Sequence, residues 1–228
     1  MNFDAIVFDL DGTLVHSSPD LHAAAVAMLD DLERDPVTLQ QVTSFIGNGV
    51  PKLVERCLNA TGGVPDDGGQ AALASFSTHY SRDPVRLTQP YPGVMALLDM
   101  LDKAGAALGI CTNKPEAAAH QVLQGVGMAG TSTRPLFGAV VGGDTLPVRK
   151  PDPAPLHHAL KNIGGEQALY VGDSETDAAT AQASGLPFAL YTGGYRKTPV
   201  SELPHDFAFD HFSELRDWLA TRIVQPSA

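Results

Sequence analysis

The sequence is short of basic residues. Among 228 residues, Lys and Arg number 15 against 26 Asp and Glu, a formal net charge of -11. That balance argues against nucleic acid as a partner, because a phosphate backbone calls for Lys/Arg-rich surfaces. An acidic chain still binds small anions where a metal ion or a local lysine supplies the opposite charge. Cysteine is scarce as well, with only Cys57 and Cys111, both in apolar contexts. No disulfide framework follows, and two buried, reduced thiols are expected. No apolar run approaches the length that crosses a bilayer, and Met1-Asn2-Phe3-Asp4 has no basic, signal-like character. A soluble, cytoplasmic protein with no membrane partner is therefore expected. Internal repeats and low-complexity segments are absent. The eight histidines lack metal-ligand spacing, and neither Gly142-Gly143 nor Gly193-Gly194 forms a dinucleotide fingerprint.

What is present is an ordinary globular composition, 43% hydrophobic and 18% charged, with its apolar residues gathered in short blocks. These blocks fall at 5–8, 107–111, 139–141, 168–171 and 188–191. Continuous rather than alternating apolarity suits strands buried on both faces, as in a parallel sheet. Between the later blocks, Val94, Leu97, Leu98 and Leu101 mark one apolar helix face. Pro115 and Pro153 stand where proline opens a helix, and Ala-rich 176–184 ends at Gly185. The alternation predicts an α/β fold with a doubly wound parallel-sheet core. From about 16 to 85 the rhythm breaks. Helices are expected from Ser18 to Leu32, after a cap at Thr38, over 51–58 and over 70–80, with no strand among them. That stretch reads as an inserted all-helical cap (16–85), leaving 1–15 and 86–228 as the catalytic core. A last amphipathic helix is expected over 213–223, with a frayed tail at 225–228.

Ligands of open α/β sheets bind beyond the carboxyl ends of the strands. After the first block come Asp9-Leu10-Asp11-Gly12-Thr13, and after the second Thr112-Asn113-Lys114. Lys150-Pro151-Asp152-Pro153 follows the third at a short distance, and Gly172-Asp173-Ser174-Glu175-Thr176-Asp177 follows the fourth. Carboxylates crowded in this way repel one another. A hard cation such as Mg²⁺, which prefers oxygen ligands and binds well beside phosphate, resolves the repulsion. Asp9 and Asp173 can hold it through their side chains, and Asp11 through its backbone carbonyl. Asp9 is then placed to attack phosphorus, and Asp11 to protonate the leaving oxygen and later activate water. Thr112 and Asn113 can hydrogen-bond phosphoryl oxygens, and Lys150 can neutralise their charge. An EF-hand begins with a similar Asp-x-Asp, but it needs Gly at its sixth position, where Leu14 stands.

Asp9-Leu10-Asp11-Gly12-Thr13-Leu14, Thr112, Lys150 and Gly172-Asp173…Asp177 together resemble the four motifs of the haloacid dehalogenase-like hydrolase superfamily. The resemblance spans nearly the whole chain. It implies a nucleophile at Asp9, an acid/base at Asp11, phosphate binders at Thr112 and Lys150, a metal ligand at Asp173 and a supporting acid at Asp177. It also implies that 16–85 is the mobile cap of that family. Pro19-Asp20-Leu21, Ile46-Gly47-Asn48-Gly49-Val50-Pro51 and Gly142-Gly143-Asp144-Thr145-Leu146-Pro147 further resemble the phosphoglycolate phosphatase subfamily, which implies 2-phosphoglycolate as the small phosphorylated substrate. His16 departs from the pattern of the resemblance, in which Asp usually stands there.

Within the expected cap, Asn48 and Gly49 are candidates for substrate selection. Lys52 and Arg56, at i,i+4 spacing on one helix face, are candidates to meet a substrate carboxylate, or form a solvated basic face. The competing functions are a phosphatase or phosphomutase for another small phosphomonoester and, from a different class, a phospho-accepting regulatory module. The sequence leaves the oligomeric state open.

Overall fold

The computed structural model describes residues 1–131 and 134–224. Its centre is a parallel sheet of six strands: β1 (Ala5–Phe8), β4 (Ala107–Cys111), β5 (Ala139–Val141), β6 (Ala168–Gly172), β7 (Phe188–Tyr191) and β8 (Phe207–Phe209). Their order is β5-β4-β1-β6-β7-β8. Along β1, Ile6 and Phe8 enter one apolar cluster while Val7 enters another on the opposite face. In β6, Leu169 and Val171 divide from Tyr170 in the same way. Both faces are covered, which is why these strands read as unbroken apolar runs.

Helices α5 (Val94–Lys103), α6 (Glu116–Gly125), α7 (Ala154–Ile163), α8 (Glu175–Ser184) and α9 (Phe212–Leu219) flank the sheet. Four more helices lie between residues 16 and 85: α1 (Ser18–Asp31), α2 (Leu39–Phe45), α3 (Val50–Ala60) and α4 (Gln70–Arg82). Thr38 caps α2 through a reciprocal capping box with Gln41. This helical unit has its own apolar cluster, including Met28, Leu29, Val54, Leu58 and Phe76, separate from those of the sheet.

Three expectations are corrected. The stretch from 16 to 85 is not wholly strand-free, because β2 (Val15–His16) pairs antiparallel with β3 (Gln89–Pro90). Two-residue strands carry no readable periodicity. The sheet also gains β8, whose three residues are too few to signal a strand. The last helix stops at Leu219, and Ile223 instead forms a bridge to Phe3. The expected tail at 225–228 lies outside the described residues.

β1 is the central strand, flanked by β4 and β6, so chain direction of travel reverses beside it. That is the switch point at which a doubly wound sheet opens a crevice.

Candidate active site

The crevice begins where β1 ends. Asp9 is held by its backbone N–H donating to the Val171 carbonyl at 2.9 Å. Gly12 turns the chain at φ 92°, and a Cβ there would stand 2.6 Å from Asp173 Oδ2. Glycine is therefore required for both conformation and space. After β6, Ser174 and Asp177 form the capping box that opens α8, and a Cβ on Gly172 would collide with the Asp177 side chain.

Three residues distant in sequence meet around one ammonium. Lys150 Nζ donates to Asp9 Oδ1 at 2.9 Å, to Asp177 Oδ1 at 2.7 Å and to the Tyr170 hydroxyl at 2.8 Å. An ammonium has three N–H donors, and all three are taken. Burial alone would lower the lysine's pKa, but Asp177 and Asp9 outweigh it and hold the group charged. Tyr170 OH in turn donates to Asp177 Oδ1 at 2.7 Å. Asp177 Oδ2 accepts from the backbone N–H groups of Asp173 and Ser174 and from Ser174 Oγ. These bonds and Lys150 overcome the effect of burial and keep Asp177 below the usual carboxylate range.

Asp173 has no such compensation. Its oxygens accept from Thr13 Oγ1 at 2.7 Å and from Tyr195 N at 2.6 Å, but no cation faces it. Burial, with Asp177 and Asp9 as like-charged neighbours, pushes its pKa well above the ordinary value. Asp9 is pushed up to about 6, mainly by burial, with Lys150 opposing. Asp11 lies beside them, its two oxygens each 3.1 Å from Lys114 Nζ. Burial would lower the Lys114 pKa, but Asp11 raises it.

Asp9, Asp173 and Asp177 each bring one oxygen within 4.8 Å of the others. When all four are ionised, the carboxylates of Asp9, Asp11, Asp173 and Asp177 exceed the two ammonium groups of Lys114 and Lys150 by two charges, the imbalance that raises Asp173 and Asp9. One divalent cation balances that excess, and an all-oxygen donor set suits a hard ion. The residues present thus fit a divalent metal. Asp177 already accepts five hydrogen bonds, so it buttresses the cluster.

Thr112 and Asn113, after β4, are buried in the same crevice. Thr112 Oγ1 accepts from Lys114 N at 3.3 Å, which leaves its own proton for a ligand. Asn113 differs from expectation. Its amide donates to Gly47 O at 2.9 Å and to Lys150 O at 3.1 Å, so both of its N–H donors join protein segments. Asn113 Oδ1 is buried without a partner among the described residues.

The helical unit closes over this crevice and leaves two small cavities. One, of about 40 Å³, is lined by Asp9, Asp11, Gly49, Thr112 and Lys114, among others. The other, of about 60 Å³, is lined by Asp9, Asn48, Asp173, Thr176 and Lys197, among others. Gly49 lines the first of these cavities and Asn48 the second. Lys52 and Arg56 do not line either cavity. Lys52 is exposed and paired with Glu55 at 2.7 Å. Arg56 donates to Phe45 O and to Asn48 Oδ1, bracing the loop before α3.

Several site residues are not evident from sequence reasoning. Lys114 directly follows Thr112-Asn113, and that position is its only signal. Tyr170 is hidden inside an apolar strand. Tyr195 accepts from the backbone N–H groups of Ser17 and Ser18 at the start of α1, while its own N–H holds Asp173. Nothing in the spacing points to it.

The model of the haloacid dehalogenase-like hydrolases matches residues 3–185. The chain belongs to that family. Phosphoglycolate phosphatase from Cereibacter sphaeroides is 52% identical over 215 residues, covering 94% of this chain and 96% of the relative. The Rhodospirillum rubrum phosphoglycolate phosphatase is 46% identical over 222 residues, covering 94% and 90%. A crystal structure of a predicted phosphoglycolate phosphatase from Haemophilus somnus matches with a TM-score of 0.87 at 30% identity, covering 96% of this chain and 98% of that one. Membership in this hydrolase family accords with the carboxylate cluster at the switch point and with its need for a divalent cation. Among the described residues, no helix is long and apolar enough to cross a membrane.

Proposed function

We propose that the protein hydrolyses 2-phosphoglycolate to glycolate and phosphate, with Asp9 as nucleophile and Mg²⁺ as its resident cation. The observation that carries the reading is Asp9 itself, a buried carboxylate fixed at the switch point through one oxygen, in a chain 52% identical to a phosphoglycolate phosphatase along nearly its full length. Asp9 and Asp173 side chains, with the Asp11 backbone carbonyl, would hold the metal. Bound there, Mg²⁺ supplies charge neutralisation for the carboxylates and the phosphoryl oxygens.

Lys150 occupies Asp9 Oδ1, which leaves Oδ2 to attack phosphorus. The bond from phosphorus to the ester oxygen breaks as the new P–O bond forms, and Asp11 gives its proton to the departing glycolate oxygen. Asp9 then carries the phosphoryl group. Asp11 takes a proton from water, water attacks phosphorus, and phosphate leaves with Asp9 restored. The Thr112 hydroxyl donates to a phosphoryl oxygen, while Lys150 acts through charge because its donors are engaged. Helices α1–α4 form the cap, which excludes bulk water during the reaction. The cavities beside Asp9 and Asp11 are small, which suits a compact ester.

The test is phosphate release from a panel of small phosphomonoesters, with Mg²⁺ and with chelator. Steady turnover strongest on 2-phosphoglycolate and lost with chelator is expected. Metal-dependent release favouring another ester would replace the substrate and keep the chemistry. A single phosphorylation without turnover would point to a phospho-accepting module.

A further inference from the structure

An anionic leaving group needs a cation inside the closed site, and the structure offers few. Lys150 has spent its three donors on Asp9, Asp177 and Tyr170. Lys52 faces Glu55 in solvent, and Arg56 is committed to Phe45 and Asn48. Lys197 lines the cavity that contains Asp173, the metal side. Arg149 is exposed, and its guanidinium lies beside Gly49 without lining either cavity. Lys114 remains. Its side chain is 2% exposed, and it lines the cavity that Asp11 shares with Thr112, Gly49 and Val50.

We propose that Lys114 is the specificity-determining residue for a carboxylate on the leaving group, which binds the ammonium that otherwise pairs with Asp11. This rests on the reading of the protein as a phosphatase for an acidic ester. Asp11 marks the leaving-group side, because it serves the oxygen that departs, and Lys114 touches Asp11 through both carboxylate oxygens. The two Asp11 oxygens engage at most two of the three ammonium donors. The remaining support comes from the cap: the ammonium sits 4.8 Å from the centre of the Tyr80 ring of α4, a contact that holds a cation without consuming a carboxylate. Lys114 thus keeps a donor that no carboxylate takes, is shielded from water, and is held from both sides of the cleft. A substrate carboxylate arriving beside Asp11 finds this cation preformed. An uncharged leaving group of equal size makes no such ion pair, and the apolar lining of Leu21, Ile46, Val50 and Leu53 does not replace it.

The experiment compares two esters of similar size, 2-phosphoglycolate and ethyl phosphate, in the wild type, Lys114→Met and Lys114→Arg. kcat/KM is measured with Mg²⁺, and Kd by calorimetry on the Mg²⁺-loaded protein with the non-hydrolysable phosphonate analogues of the two esters. Thermal unfolding establishes that each variant is folded. The wild type is expected to favour 2-phosphoglycolate. Lys114→Met is expected to cut that preference by roughly ten- to hundred-fold, the value of a hydrogen-bonded charge. Lys114→Arg is expected to keep most of it. Equal losses on both esters would reduce Lys114 to a positioning residue for Asp11 and overturn the proposal. So would a preference unchanged in Lys114→Met, or a wild type that binds ethyl phosphate as tightly as 2-phosphoglycolate. If the panel assay favours a different ester, the substrate assignment falls, while the ratio within this pair still reports on Lys114.

Discussion

Asp173 is 1% exposed, faces Asp9 and Asp177, and receives only a hydroxyl and an amide in return. Such a carboxylate opposes folding in the metal-free protein and binds a cation when one is supplied. Asp173→Asn should raise the melting temperature measured in chelator, by about 2–4 °C for each kcal/mol relieved, and should abolish the stabilisation by Mg²⁺. Asp9 gives a pH signature of the same kind. Its value of about 6 in the folded chain exceeds the ordinary 3.8. Between those values the folded chain holds more protons than the unfolded one, so this group's contribution to metal-free stability falls as pH rises. Mg²⁺ binding requires the anion. Affinity should therefore climb as pH rises through about 6, with proton release visible by calorimetry in buffers of different ionisation enthalpy. Affinity independent of pH there would contradict the assignment. At this scale the sequence was most legible for Asp9, Asp11, Thr112 and Asp173, because each closely follows an apolar strand, and less so for Lys150, which lies farther past β5. Tyr170 and Tyr195 were not, because their roles depend on contacts across 7 and 22 residues.

The elements show why Pro19-Asp20-Leu21 is a distinctive feature of the sequence. Asp20, 4% exposed in the first turn of α1, accepts from Leu87 N and from both the backbone N–H and hydroxyl of Thr88, at 2.7–3.1 Å. It ties the first cap helix to the segment that returns the chain toward β3. Asp20→Ala removes the acceptor of the buried Thr88 N–H, together with its bonds to Leu87 N and the Thr88 hydroxyl, and should cost roughly 1–3 kcal/mol. Denaturant unfolding checks this, and a loss under about 1 kcal/mol would contradict it. Long elements were read nearly to their ends: α1, α4 and α5 begin where Ser18, Gln70 and Val94 were expected to begin. Short ones were not. β2 and β3 exist because Val15 and His16 meet Pro90 and Gln89, a pairing that no local pattern encodes.

For the whole molecule, the sequence pattern separates the helical stretch from the strand–helix alternation, and the structure has one apolar cluster among α1–α4 and one on each face of the sheet. How the parts meet was not legible, since the seam is a handful of polar contacts. Asn113 reaches Gly47, Asn48 reaches Thr176 at 3.4 Å, and Lys114 lies against Tyr80. Each such hydrogen bond is worth about 0.5–1.5 kcal/mol. Asn113→Ala should accordingly weaken closure and raise KM several-fold more than it lowers kcat. A purely catalytic loss, with KM unchanged, would contradict a closing role. The account as a whole depends on Asp9 carrying the phosphoryl group. Rapid quenching with 2-phosphoglycolate and Mg²⁺, followed by mass spectrometry of the peptide containing Asp9, tests this most directly. The account predicts one phosphoryl group on Asp9, absent with chelator and absent in Asp9→Asn, which should also be inactive. Label on another residue, or full turnover by Asp9→Asn, would contradict it.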